Sequence, residues 1–134
     1  MLTGYTQGCF DVLHMGHIRF LRAAKAWLGS PSRLIVGVAS DEFYEAWKPG
    51  RRHQLWGDRA SVVGALEFVD LAVVYNTPVP GFPDPQYKMF KFDTFFTVES
   101  LYDSQHSVFD AKPWRTVYLP RTPGISSNKL KGLE

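Results

Sequence analysis

One cysteine, Cys9, stands among 134 residues. An intramolecular disulfide is therefore excluded, and nothing in the composition asks for an oxidising compartment. No apolar stretch approaches the ~20 residues that span a bilayer, so no membrane partner is expected. The first residues lack both a charged start and an apolar run, so no signal peptide is expected and a cytoplasmic location is the default. Neither sign of charge dominates: 15 Lys and Arg against 13 Asp and Glu leave a net charge of +2. That balance supplies no basic stripe for nucleic acid, and it leaves an anionic small molecule open as a ligand. Repeats and low-complexity tails are also missing. What remains is a chain with 45% apolar residues, enough for one domain with a real core.

The pattern predicts alternating strands and helices. Leu2–Gln7 is expected as a first strand. A helix from about Gly16 to Leu28 follows, with Ile18, Leu21, Ala24 and Leu28 at helical spacing, and it stops at Gly29-Ser30-Pro31. Leu34–Ala39 and Leu71–Tyr75 are short continuous apolar runs, which suit strands covered on both faces. Ser40-Asp41-Glu42-Phe43 caps a short helical turn. Trp47–His53 reads as a mobile basic loop over the open end of the sheet. Asp58 is placed as the cap of a helix running to about Phe68, whose buried side is Val62, Val63, Leu66 and Val69. Four prolines between residues 76 and 85 mark an irregular connection. A brief helix over Tyr87–Phe92, a strand over Thr94–Val98, a loop with room for a helical turn over Ser100–Pro113, a strand over Trp114–Leu119 and a short helix from Ser126 complete the chain. The expected fold is a single doubly wound, Rossmann-like α/β domain over residues 1–134, with a five-stranded parallel sheet. Ligands of such sheets bind beyond the carboxyl ends of the strands.

Two stretches concentrate chemistry. Gly8-Cys9-Phe10-Asp11-Val12-Leu13-His14-Met15-Gly16-His17 lies where the first strand hands over to the first helix. Turns use glycine and aspartate, but they have no need of a histidine pair. His14 and His17 are three apart, so both rings project the same way at the helix start. Unpaired N–H groups and partial positive charge there favour phosphate. Gly16 lets a ligand approach the backbone, and the imidazoles can donate hydrogen bonds and carry charge near neutral pH. The competing readings are a helix cap with surface histidines, and a metal site from Cys9, His14 and His17, for which no fourth ligand lies close. The second stretch, Arg121-Thr122-Pro123-Gly124-Ile125-Ser126-Ser127-Asn128, follows the last strand. It combines a guanidinium, several hydroxyls and another helix start, a second anion cradle. Ser126 read alone serves equally as an ordinary helix cap.

The first stretch resembles the Gly-x-Phe-Asp-x-x-His-x-Gly-His signature of the cytidylyltransferase-like nucleotidyltransferase superfamily. The second resembles that superfamily's Arg-Thr-x-Gly-Ile-Ser-(Ser/Thr)-(Ser/Thr) segment. Tyr118-Leu119-Pro120 and Ser40-Asp41-Glu42-Phe43 are most similar to glycerol-3-phosphate cytidylyltransferases. The resemblance implies transfer of CMP from CTP to a phosphorylated polyol such as glycerol 3-phosphate. The acceptor phosphate attacks the α-phosphorus in line and pyrophosphate leaves. It further implies Mg²⁺ bridging the phosphates and a homodimer. His14 and His17 would contact the α- and β-phosphates, with Lys48, Arg51 and Arg121 as basic partners. Gly8, Cys9, Phe10 and Gly16 would hold nucleotide through the backbone. Thr122 would flank base and ribose, and Ser126 and Ser127 would hold the β- and γ-phosphates. Asp11 would bond within the loop. The chain departs from the pattern at Glu67-Phe68-Val69-Asp70, where an arginine is missing. It departs again at Val98-Glu99-Ser100-Leu101, where Glu99 would replace the aspartate that reads the cytosine amino group. These departures keep two alternatives open: an adenylyltransferase of the FAD-synthase kind, and a non-catalytic nucleotide-binding relative.

Overall fold

The computed structural model describes residues 1–76 and 82–121. Five parallel strands, β1 (Leu2–Gly8), β2 (Ser32–Ala39), β3 (Leu71–Tyr75), β4 (Thr94–Val98) and β5 (Arg115–Leu119), form one sheet in the order β3-β2-β1-β4-β5. The helices are α1 (Met15–Leu28), α2 (Asp41–Trp47), α3 (Trp56–Gly64), α4 (Asp84–Phe90) and α5 (Tyr102–Phe109). The doubly wound, Rossmann-like sheet expected from the sequence is present.

Each face of the sheet has its own core. On one, Leu21, Ala24 and Leu28 of α1 and Ala60 and Val63 of α3 pack on Leu34, Val36, Val38 and Phe96. The stripe read in α1 is thus its buried face. Gly4 is required here: a Cβ at this position would lie 2.7 Å from both Leu28 Cδ1 and Phe96 Cε2. The opposite face is aromatic, with Tyr5, Phe92, Phe95, Phe109 and Trp114 buried together with Ile35. Burying such rings is worth roughly 2–3 kcal/mol each, so this face holds α4 and α5 although neither helix is long.

Several expectations are corrected. The segment after β4, read as a loop with a helical turn, is more helical than that: a 3₁₀ turn (Glu99–Leu101) leads into α5. Its sequence is polar almost throughout, and Phe109 alone is buried, so apolar periodicity had nothing to register. α3 starts at Trp56 with Leu55 as its cap residue and no side-chain cap, and Asp58 sits inside the first turn. Val62 is exposed, and the buried side of α3 is Arg59, Ala60 and Val63. α4 spans Asp84–Phe90, three residues earlier than expected. Ser40 does cap α2, its hydroxyl accepting from Phe43 N at 3.1 Å. The proline-rich connection and the helix expected from Ser126 fall largely or wholly outside the described residues.

The β1–β4 seam is closed only at its start. β1 and β2 stay in register over seven pairs, out to Gly8–Val38, whereas β1 and β4 pair only at Gly4–Thr94 and Tyr5–Phe95. Beyond that point the Thr6 hydroxyl donates to Phe96 O at 2.8 Å. The two strands part at their carboxyl ends, at the switch point of the strand order, where open α/β sheets take ligands.

Candidate active site

The loop that leaves β1 is held in a shape its residues do not favour. Phe10 and Val12 adopt φ of 51° and 61°, the left-handed region, which is strained for a β-branched residue. Contacts from outside the loop hold this shape. Asp11, 1% exposed, accepts from the backbone N–H groups of His53 at 2.8 Å and Gln54 at 2.9 Å, and from the Tyr44 hydroxyl at 3.1 Å. Gln54 Oε1 in turn accepts from Val12 N at 3.1 Å. Asp11 is therefore structural, as expected, but it ties the loop to the 53–54 segment and α2 rather than bonding within the loop. The same contacts, with Arg52 paired to Glu45 at 3.2 Å and Asp41 at 3.7 Å, anchor the segment read as a mobile loop.

Arg59 was not foreseen as part of the site. Its side chain is fully buried, and it donates to Gln54 O at 3.0 Å, Cys9 O at 2.8 Å and Asp41 Oδ1 at 2.8 Å, over the Tyr44 ring. One guanidinium thus joins the β1 loop, the 51–55 segment and α2. The available signal was spacing: Arg59 is four residues before Val63, on the stripe that faces the core.

His14 is the cap residue of α1. Its Nδ1 accepts from Gly16 N at 3.0 Å, and His17 Nδ1 accepts from His14 N at 3.2 Å. The two rings stack with centroids 3.9 Å apart, and His17 also packs against Phe10 at 5.3 Å. With both Nδ1 atoms accepting backbone N–H, each neutral ring carries its proton on Nε2, across the ring from the helix. Burial lowers the His14 pKa, with the Arg121 charge adding to the effect. His17 falls to about 3, first through burial, then through His14 and Arg121. The expectation of imidazoles charged near neutral pH is therefore corrected for the free protein: both are neutral Nε2–H donors. The Gly16 N–H is taken by His14 Nδ1.

Arg121, the first residue of the second stretch and the one described there, is near enough for its charge to act on both imidazoles. Of the second stretch, Arg121 thus lies near the histidines of the first. Thr122, Ser126 and Ser127 lie outside the described residues. Gly8 ends β1, and Cys9 packs against the cluster of Ala39, Phe43, Tyr44 and Tyr75. Lys48 is half-buried with its Nζ 4.6 Å from the centre of the Trp47 ring. Arg51 is exposed, its carbonyl in contact with His53 Nδ1 at 3.3 Å. Glu99 is exposed in the turn that leaves β4. Among the described residues no three His, Cys, Asp or Glu side chains form a metal cage.

Residues 5–54 match the model of a cytidylyltransferase-like family. Over that segment the chain is similar to cytidylyltransferase-like proteins. The match takes in β1 from Tyr5 onward, the strained loop, both histidines and the 53–54 segment. The bifunctional protein HldE of Campylobacter fetus subsp. fetus is 43% identical over 77 residues, and that of Rhodopseudomonas palustris (strain BisB18) is 45% identical over 78. These alignments cover 57–58% of this chain and 15–16% of the relatives, so the chain spans about one-sixth of their length. A lipopolysaccharide core biosynthesis protein from Thermoplasma volcanium GSS1 shares the fold, with a TM-score of 0.66 at 22% identity over 91% of this chain and 98% of that one. A pantoate-beta-alanine ligase from Francisella tularensis, solved with beta-gamma ATP and beta-alanine, has a TM-score of 0.64 at 14% identity over 97% of this chain and 65% of that one. The Rossmann-like sheet is common to these solved structures and this chain. No helix among the described residues is long and apolar enough to cross a membrane.

Proposed function

We propose that the protein transfers CMP from CTP to a phosphorylated polyol such as glycerol 3-phosphate. The observation that carries the reading is the stacked His14–His17 pair, neutral and fixed in one tautomer, beside Arg121 at the parted end of the sheet. Two Nε2–H donors and a guanidinium suit a phosphate group whose charge rises as it is attacked. In this reading an oxygen of the acceptor phosphate attacks the α-phosphorus. The bond from that phosphorus to the bridging oxygen breaks, and pyrophosphate leaves with the electron pair. No covalent enzyme intermediate is needed. The protein positions both reactants and stabilises charge.

Lys48 and Arg51, in the segment after α2, would close on the triphosphate. Thr122, Ser126 and Ser127 would hold the ribose and outer phosphates. Glu99, at the end of β4, would accept from the exocyclic amine of cytosine. With no cage of acidic side chains among the described residues, Mg²⁺ would arrive as part of the nucleotide complex, held mainly by phosphate oxygens and water. The proposal includes a homodimer, which light scattering tests. The decisive assay is pyrophosphate release from each of the four nucleoside triphosphates against a panel of polyol and sugar phosphates. Turnover with CTP and a polyol phosphate is expected. Turnover with ATP in preference to CTP would replace the cytidylyl reading by an adenylyl one. Nucleotide binding without turnover on any acceptor would leave a binding protein.

A further inference from the structure

The first turn of α5 presents an aromatic ring that the transferase reading leaves unused. β4 ends at Val98, the 3₁₀ turn Glu99–Leu101 follows, and Tyr102 is the first residue of α5. α5 joins the parallel neighbours β4 and β5, so it runs back from the carboxyl edge and Tyr102 sits at that edge. The register agrees. Tyr118, whose ring centroid is 5.0 Å from that of Tyr102, pairs with Thr97 one step before the end of both strands. On its other side β4 borders the parted seam with β1. Three residues beyond Tyr118 comes Arg121, whose charge acts on His14 and His17. Tyr118 and Arg121 thus lead from the Tyr102 ring to the imidazole pair.

The ring is held in place from within α5. His106, one turn along the helix, stacks on it with centroids 4.4 Å apart and planes 8° apart. His106 Nδ1 lies 2.7 Å from Tyr102 O; a carbonyl only accepts, so Nδ1 carries the proton and donates, which fixes the imidazole. Tyr118 stands at 83° to the Tyr102 ring. His106 covers the side of the ring that looks along the helix, so the open side looks past the start of α5 toward the carboxyl edge. Tyr102 is 47% exposed, so the stack with His106 and the edge contact with Tyr118 leave much of the side chain open.

An ordered, open aromatic face selects a flat partner. The face of a phenol is the negative side of its quadrupole, so phosphate gains nothing from it. A planar base gains by stacking. We propose that the open face of Tyr102, backed by His106, is the stacking platform for the nucleobase of the triphosphate. With the phosphates at the imidazoles and Arg121, the base extends over the carboxyl ends of β4 and β5. This rests on the nucleotide-binding part of the transferase reading and deepens it. Every base has a π-face, so the platform contributes affinity without choosing between cytosine and adenine. That choice is left to hydrogen-bonding groups at the base edge.

The test is titration calorimetry of the full chain with CTP, ATP and inorganic tripolyphosphate, which carries the phosphates without a base. Tyr102→Ala is expected to weaken both nucleotides by about tenfold or more, the scale of one lost stacking contact, and to leave tripolyphosphate within about twofold. Tyr102→Phe keeps the ring and should hold both nucleotides within about threefold of wild type. A second readout needs no variant: on binding to the wild type, the base protons of CTP should move upfield in the NMR spectrum more than the ribose protons do, as a ring stacked on the base requires. Unchanged nucleotide affinity in Tyr102→Ala overturns the proposal. So does an equal loss of tripolyphosphate, the result expected if Tyr102 serves only the fold, and so does the lack of an upfield shift. Absence of pyrophosphate release on any acceptor, with the base-dependent loss intact, would sink the transferase reading and leave the platform standing. Turnover by Tyr102→Ala at an unchanged KM for CTP would do the reverse.

Discussion

Replacing Arg59 by methionine should destabilise the whole domain. The side chain is fully buried and makes three hydrogen bonds, two to backbone carbonyls and one to Asp41. Charge-assisted bonds contribute roughly 1.5–3 kcal/mol each. The bond to Asp41 is discounted to about 0.5 kcal/mol, because that carboxylate is one-third exposed and has Arg52 within 3.7 Å as a second partner. Methionine restores part of the apolar contact with the Tyr44 ring. A net loss of about 3 kcal/mol results. Scaling the usual ~2.1 cal/mol/K per residue to 134 residues gives an unfolding entropy of about 0.28 kcal/mol/K. Differential scanning calorimetry should therefore show Tm lowered by about 11 °C. Arg52→Met is the control: its pairs are partly exposed, and a drop of no more than about 3 °C is expected. Arg59→Lys should fall between the two, since an ammonium cannot span three acceptors as a planar guanidinium does. A shift for Arg59→Met as small as that for Arg52→Met would refute the view that this guanidinium holds the loop.

Other perturbations probe the site and the sheet. His17→Ala should lower turnover by about two to four powers of ten, the scale of one transition-state contact, while nucleotide affinity measured by titration calorimetry falls far less; near-normal turnover would place the chemistry elsewhere. The pH dependence of stability follows from the lowered His17 pKa. Above pH 6.5 both states carry neutral His17 and it contributes nothing, but as pH falls toward about 3 the unfolded state alone takes the proton and folding weakens. Urea titrations at pH 7 and pH 5 should differ by about 1–2 kcal/mol from this group, and His17→Asn, which keeps an acceptor for His14 N, should remove that difference. Gly37→Ala should be severely destabilising, because an added Cβ would collide with the buried Tyr5 hydroxyl and lie 3.1 Å from the Tyr75 ring; an unchanged Tm would mean that the Tyr5 ring can move aside.

The sequence shows the architecture where burial writes a pattern. Leu71–Tyr75 and Thr94–Val98 coincide with β3 and β4 because their residues are uniformly apolar or β-branched. α1 is visible because a long amphipathic helix repeats its stripe. α5 reads as no more than a helical turn, because one aromatic residue anchors it. At the site, the histidines are legible from type and spacing. Their protonation state is not, because it depends on burial and on a guanidinium over one hundred residues away. The clamp is hidden for the same reason. Arg59 reads as a surface cation until the fold shows three acceptors converging on it, and Asp11 bonds to residues 42 and 43 positions along the chain.

The left-handed backbone at Phe10 and Val12 has a consequence for how the molecule assembles. A loop that resists its own geometry gains nothing by forming early. It waits until α2 and the 53–54 segment supply Asp11 with partners and until α3 delivers Arg59. Secondary structure and compaction can thus be largely complete while the imidazole pair is still unset. After dilution from denaturant, competence for phosphate ligands should return later than the helical circular dichroism signal, so recovered ligand response reports on the last step of folding.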